Sequence, residues 1–240
     1  MSARLVVEGD LSFEFDENWK AILQWDKHPA YRDGIKQIDH SKAVDIIGMC
    51  ADDSIVFLEI KDYRRSNREK SMTLWVEFEL KVRNTVAGLL GAGRRPQYAA
   101  ACTPILRSLL KPHELKLVFW IEQPQASGKL DVLRKRHIVA AGTAMKKVVE
   151  YVKWLDARVI HVSQEEDYAR LVPGLKVTNL PRRRRQLAEA VMQTLQTRGV
   201  DLDEDVRDRI SRHLVIEDLE EWLERATEVA TVEELFGGGR

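Results

Sequence analysis

Cysteine is scarce in this sequence: two in 240 residues, Cys50 and Cys102. Neither has another cysteine or a histidine at metal-site spacing, which excludes a zinc motif. Both lie in apolar surroundings, as small core residues do in a reducing cytoplasm. No apolar run approaches the ~20 residues needed to span a bilayer. The opening Met-Ser-Ala-Arg-Leu-Val-Val-Glu-Gly-Asp does not read as a signal peptide. The expectation is a cytoplasmic protein with no membrane partner. Net charge is missing too, because 38 basic residues balance 38 acidic ones. Global charge therefore does not announce a nucleic-acid partner, and only local clusters can. There is no internal repeat, no glycine-rich phosphate loop, and no Ser–His–Asp or Cys–His arrangement that spacing alone supports.

What is present is a well-mixed globular composition, 44% hydrophobic and 32% charged. That combination separates the chain from disordered sequences. Its length suits one large domain, or one domain with a small appendage.

The informative stretch runs from Lys42 to Lys61 and reads as a β-hairpin. Apolar runs at Ala43–Cys50 and Ile55–Ile60 flank the turn-prone Ala51-Asp52-Asp53-Ser54. Three charges, Asp45, Glu59 and Lys61, stand where a strand core expects none, and buried charges are costly unless paired or metal-bound. Side chains alternate along a strand, so Glu59 and Lys61 share the face of Ile55 and Phe57. Pairing centred on Asp52 or Asp53 sets Asp45 opposite Glu59 or Lys61, on one face. That register needs an odd loop of about three or five residues, because an even one turns Asp45 to the other face.

Two carboxylates and an ammonium gathered in this way suit phosphodiester hydrolysis. Asp45 and Glu59 offer hard oxygen ligands, and the Ile60 carbonyl could add a third. Mg²⁺ prefers such a set and keeps several waters, and Mn²⁺ is the alternative. Lys61 could orient the attacking water or stabilise charge on the phosphate. The competing reading is plain: Glu59 and Lys61 as an exposed strand-end pair, and Asp45 as an edge charge that discourages aggregation.

Val44-Asp45, then thirteen residues, then Glu59-Ile60-Lys61, on two adjacent strands, resembles the PD-(D/E)xK nuclease superfamily. Val44 stands where the signature has proline. The resemblance implies a restriction-endonuclease-like fold, with Asp45 and Glu59 as metal ligands and Lys61 as the catalytic lysine. It also implies a third acidic residue from an early helix, for which Glu17 is the candidate and Glu14 the reserve. DNA is the implied substrate, and a homodimer that cuts both strands is a further expectation.

The rest of the chain supplies the expected frame. Residues 4–7 and 11–15 read as short strands. A helix is expected from Asp16, as N-cap, to about His28-Pro29, since Trp19, Ile22 and Leu23 fall at near-helical spacing. The loop after Lys61 is basic, and Tyr63, Arg64, Arg65, Arg68 and Lys70 are candidate phosphate contacts at the mouth of the site. His40 reads as a solvated loop histidine. Ser71–Leu90 reads as a helix with Leu74, Phe78, Val82, Thr85, Val86 and Leu89 on one side; Lys81 and Arg83 could face the substrate, with the solvent face of the helix as the default. Ala99–Leu110 reads as helical, divided by Pro104. Leu115–Ile121 and Val159–Ser163 are strands on either side of a helix over Leu130–Leu155. The order hairpin, helix, strand, helix, strand predicts an α/β fold, a mixed central sheet flanked by helices.

The division expected is an α/β core over residues 1–176 and a small helical appendage over 177–240. The appendage opens on Arg182-Arg183-Arg184-Arg185, which could meet phosphate, a protein partner or the neighbouring acidic residues. Two functions follow. The first is a metal-dependent deoxyribonuclease. The second is a catalytically inactive protein on the same fold that holds DNA or another protein.

Overall fold

The computed structural model describes residues 4–38, 41–63, 73–111, 114–122, 143, 145–162 and 168–237. The chain divides into two compact units. One comprises residues 1–6 and 13–176, the other 7–12 and 177–240.

The first unit is built on a five-stranded mixed sheet. Its strands are β3 (Trp19–Gln24), β4 (Ile46–Cys50), β5 (Ile55–Asp62), β6 (Leu115–Glu122) and β7 (Arg158–Val162), in that spatial order. β3, β4 and β5 run antiparallel in turn, whereas β5, β6 and β7 are parallel. Parallel neighbours need crossovers. Between β5 and β6 the chain forms α2 (Leu74–Gly93) and α3 (Pro96–Leu109); α1 is a single turn, Pro29–Arg32, before β4. A helix described over 145–152, α4, precedes β7 and buries Met145, Val148 and Val152 at helical spacing. Strands β1 (Arg4–Glu8), β2 (Leu11–Phe15) and β8 (Leu175–Asn179) pair in the order β1-β2-β8, and α5 (Tyr168–Leu171) precedes β8.

The two faces of the sheet differ in kind. Odd-numbered residues of β5 and β6 (Ile55, Phe57, Leu117, Phe119 and Ile121) join Phe78, Val82 and Leu89 of α2 in one core. Phe78 stacks on Phe119 with ring centroids 4.6 Å apart. On the other face Phe13 meets Trp120 edge-on at 5.5 Å.

The segment after β2 is not helical. Asp16 accepts from Asn18 N through its side chain at 2.8 Å, and its carbonyl accepts from Trp19 N at 3.3 Å. It thus closes a turn instead of capping a helix; the same short carboxylate serves both purposes. The strand that follows is settled by its partner. A Cβ at Gly48 of β4 would lie 2.3 Å from Trp19 Cζ3, so the glycine leaves room for the indole across the ladder. Helix α3 also runs unbroken through Pro104, with Cys102 and Ile105 buried on either side of it. One missing backbone donor does not outweigh that packing.

The second unit is helical: α6 (Leu180–Thr197), α7 (Glu204–Arg212), α8 (Ile216–Ala226) and α9 (Val232–Phe236). Leu187, Val191 and Leu195 form one stripe of α6 and share a core with Ile210, Leu219, Trp222 and Leu235. Side chains of Asn179, Asp203 and Thr231 cap α6, α7 and α9. Among the described residues no helix is long and apolar enough to cross a membrane.

Candidate active site

The geometry begins with the β4–β5 turn. Met49 pairs with Ile55 and Ile46 with Leu58. Between them Cys50 N donates to Ser54 O at 2.9 Å and Asp53 N to Cys50 O at 3.1 Å. The loop is therefore the odd one, Ala51 to Asp53, with Asp53 in the left-handed region at φ 66. The ladder is centred on Asp52, and one step past its last pair sets Asp45 across from Glu59.

Asp45 is held by its backbone from both neighbours. Its N–H donates to Leu58 O at 3.2 Å, and its carbonyl accepts from Trp25 N at 2.8 Å. β4 begins only at Ile46, so the next β5 donor on that edge, Ile60 N, lacks a strand partner there. The Asp45 carboxylate takes it, with Oδ2 2.6 Å from Ile60 N. The Ile60 carbonyl points to the same edge as its N–H, beside Asp45.

Glu59 is fully buried, and so nearly is Glu77 of α2. Neither carboxylate stands alone. Lys81 Nζ lies 3.5 Å from Asp45 Oδ1 and 2.6 Å from Glu59 Oε2. Lys61 Nζ lies 2.7 Å from Glu59 Oε1 and 3.1 Å from Glu77 Oε1. Lys42, half exposed, reaches Glu77 at 3.9 Å. The charges alternate in a chain: Asp45, Lys81, Glu59, Lys61, Glu77, Lys42. Three negative groups meet three positive ones. Such a cluster tolerates burial only while each ion keeps its neighbours.

Burial, then the Asp45 charge, push the Glu59 carboxyl up to about 7, while Lys81 and Lys61 restrain it. Burial works to lower the Lys61 ammonium, but Glu59 and Glu77 more than reverse this and hold its pKa above the ordinary lysine value. Lys61 therefore stays a cation at neutral pH.

Helix α2 is tied to β4 by Thr85, which is fully buried. Its hydroxyl accepts from Val44 N at 3.1 Å and donates to Lys81 O at 2.7 Å. The same residue thus positions Val44, directly before Asp45 in the segment that leads into β4, and the turn that carries Lys81.

Asp45, Glu59 and Lys61 are brought together, and the structure adds Glu77 and Lys81. Lys81 is buried against Glu59 and Asp45 and leaves the solvent face that is its default, and Glu77 is a member that no sequence expectation singles out. A signal existed: Glu77, Lys81 and Thr85 recur at i, i+4 and i+8 directly beside Phe78, Val82 and Leu89. Glu17 is not brought in. It is exposed in the turn before β3, and Trp19 pairs with Cys50 at the end of β4 farthest from Asp45. Its expected helix is absent, so nothing turns it toward the cluster. Glu14 pairs instead with Lys176 at 3.1 Å. Tyr63 is half-buried just past β5 and packs against the core. Arg64, Arg65, Arg68, Lys70 and His40 lie outside the described residues. Arg83 is exposed and pairs with Glu79 at 3.8 Å. Arg183, from the arginine run, bonds Glu220 of α8.

Among the described residues no group of three or more His, Cys, Asp and Glu is arranged to hold a metal ion. The pair that remains still suits a hard cation. Asp45 Oδ1 and Glu59 Oε2 already share one positive centre, the Lys81 ammonium. Two carboxylates with a carbonyl alongside match the donor set of Mg²⁺, whose other positions water fills. No family model matches this chain, and neither does any curated protein or solved structure.

Proposed function

We propose that the protein is a metal-dependent nuclease that hydrolyses DNA phosphodiester bonds, on a restriction-endonuclease-like variant of its mixed sheet. One observation carries this reading: carboxylate oxygens from β5 and from the residue that leads into β4 converge on a single cation, with a second ammonium, Lys61, on the far side of Glu59. The location supports it. The carboxyl ends of the parallel strands β5 and β6 lie side by side here, where open α/β sheets place their ligands.

Asp45 and Glu59 would hold the ion, with the Ile60 carbonyl as an additional donor. When bound, a divalent ion supplies polarisation of a phosphoryl oxygen and a water of lowered pKa. Lys61 stabilises charge that develops on the phosphate and orients the incoming water. Glu77 keeps Lys61 charged and aimed. Ile60 N–H holds Oδ2 of Asp45, leaving Oδ1 to face the cation.

A second reading has its own support: the cluster is already charge-balanced by lysines. A protein of this kind would bind DNA or another protein without cutting. The test is incubation of plasmid and linear DNA with Mg²⁺, Mn²⁺ or EDTA, alongside Asp45→Ala and Lys61→Ala. Metal-dependent cleavage lost in both variants supports the nuclease. Binding without cleavage in every metal, equal in both variants, refutes it in favour of the second reading.

A further inference from the structure

We propose that Lys81 is a built-in competitor of the metal: its ammonium holds the place between Asp45 and Glu59, and a divalent ion binds only by displacing it. The inference rests on the metal-dependent reading above and adds a device that sets the affinity of that site.

Nζ of Lys81 lies 2.6 Å from Glu59 Oε2 and 3.5 Å from Asp45 Oδ1. A Mg²⁺ ion bonded to those two oxygens at ~2.1 Å would fall in the same gap, so the two cations exclude each other by volume as well as by charge. Lys81 is also the replaceable member of the chain. Glu59 keeps Lys61 on its other oxygen at 2.7 Å, so the carboxylate is not stranded when Lys81 leaves. Asp45 keeps its bond from Ile60 N. Lys61, by contrast, bridges two buried carboxylates, Glu59 at 2.7 Å and Glu77 at 3.1 Å, so its departure would disturb both at once. The backbone at Lys81 need not move, because its carbonyl is held by the Thr85 hydroxyl and only the flexible four-carbon stem swings.

The consequence is weak metal binding in the resting protein, so that the site loads only when free divalent ion is plentiful. Mn²⁺ is the probe, titrated into the full-length chain by calorimetry and by electron paramagnetic resonance. Lys81→Met and Lys81→Gln should each bind one Mn²⁺ at least tenfold more tightly than the wild type, and adding Asp45→Asn should abolish the gain. A second measurement needs no variant at this position. In wild-type protein with isotope-labelled lysines, the side-chain signal of Lys81 should shift on addition of Mg²⁺ while that of Lys61 keeps its paired position. If both Lys81 variants fold and bind Mn²⁺ no more tightly than the wild type, yet Asp45→Asn still removes binding, competition is overturned and the metal site stands. An unmoved Lys81 signal at saturating Mg²⁺ overturns it equally. If no protein in the series binds Mn²⁺ in an Asp45-dependent way, the metal-dependent function falls as well.

Discussion

Replacing Thr85 by valine removes one hydroxyl and keeps nearly the same volume. The hydroxyl is fully buried and is the acceptor for Val44 N, itself in a fully buried residue. Valine leaves that N–H without a partner, which costs about 1–3 kcal/mol. The other half of the exchange costs little, because Lys81 O keeps its helical bond. A domain in the 150–250 residue range shifts its melting temperature by about 2–4 °C per kcal/mol, so a fall on the order of 2–12 °C is expected. Urea unfolding followed by tryptophan fluorescence reports it directly, since Trp25 and Trp120 are fully buried in this unit. The midpoint should drop with an unchanged slope. Thr85→Ser is the control: it keeps the oxygen, loses a methyl group, and should cost about 1 kcal/mol. Amide exchange at Val44 should accelerate in the valine variant and not in the serine variant. Were valine as stable as wild type, with serine the weaker of the two, the strand-to-helix tie would carry none of the weight assigned to it.

The remaining predictions concern charge and packing. The folded Glu59 carboxyl titrates near 7 against the usual 4.5, so between those values the native state binds more protons than the unfolded one. Stability of the first unit should therefore fall as pH rises through that window, by at most about 3 kcal/mol, and then level off. Glu59→Gln should flatten this slope in melts taken from pH 4.5 to 8; an identical slope in both proteins would assign the effect elsewhere. Lys61→Met leaves Glu59 and Glu77 without their shared ammonium and should cost about 3–5 kcal/mol. Combined with Glu77→Gln it should cost less than the two single changes added, as a double-mutant cycle would measure. Gly48→Ala drives a Cβ into Trp19 and should destabilise by about 1–3 kcal/mol, with Trp19→Leu restoring part of the loss. A neutral Gly48→Ala would argue that Trp19 does not lie across β4.

Much of the hairpin was legible because its signals are local. Period-two alternation assigns Glu59 and Lys61 to one face, and Asp52-Asp53 mark the turn, so the register follows from parity. Glu77 and Lys81 were not legible in the same way. On a helix as rich in charge as α2, polar residues recur at i+4 on more than one face, and only the facing strand decides which polar stripe is buried. The segment from Trp19 to Gln24 failed for a related reason. Trp19, Ile22 and Leu23 satisfy a helical template and a strand template alike, and Asp16 opens either a helix or a turn. The choice is made by Gly48, 29 residues further on, whose missing side chain accommodates the indole. The third acid expected at Glu17 disappeared with the helix that was to carry it, while a carboxylate the sequence reading ignored, Glu77, entered from α2.

The short turn at Ala51–Asp53 has an evolutionary corollary. Gaining or losing one amino acid there would slide β4 by a single step against β5 and turn Asp45 toward the opposite side of the sheet, away from the ammonium groups. A paired insertion or deletion leaves the carboxylates facing each other. Length variants that keep the cluster should therefore differ at this turn by two residues, and a library of loop lengths would sort into members with and without the facing carboxylates by whether the count is odd or even.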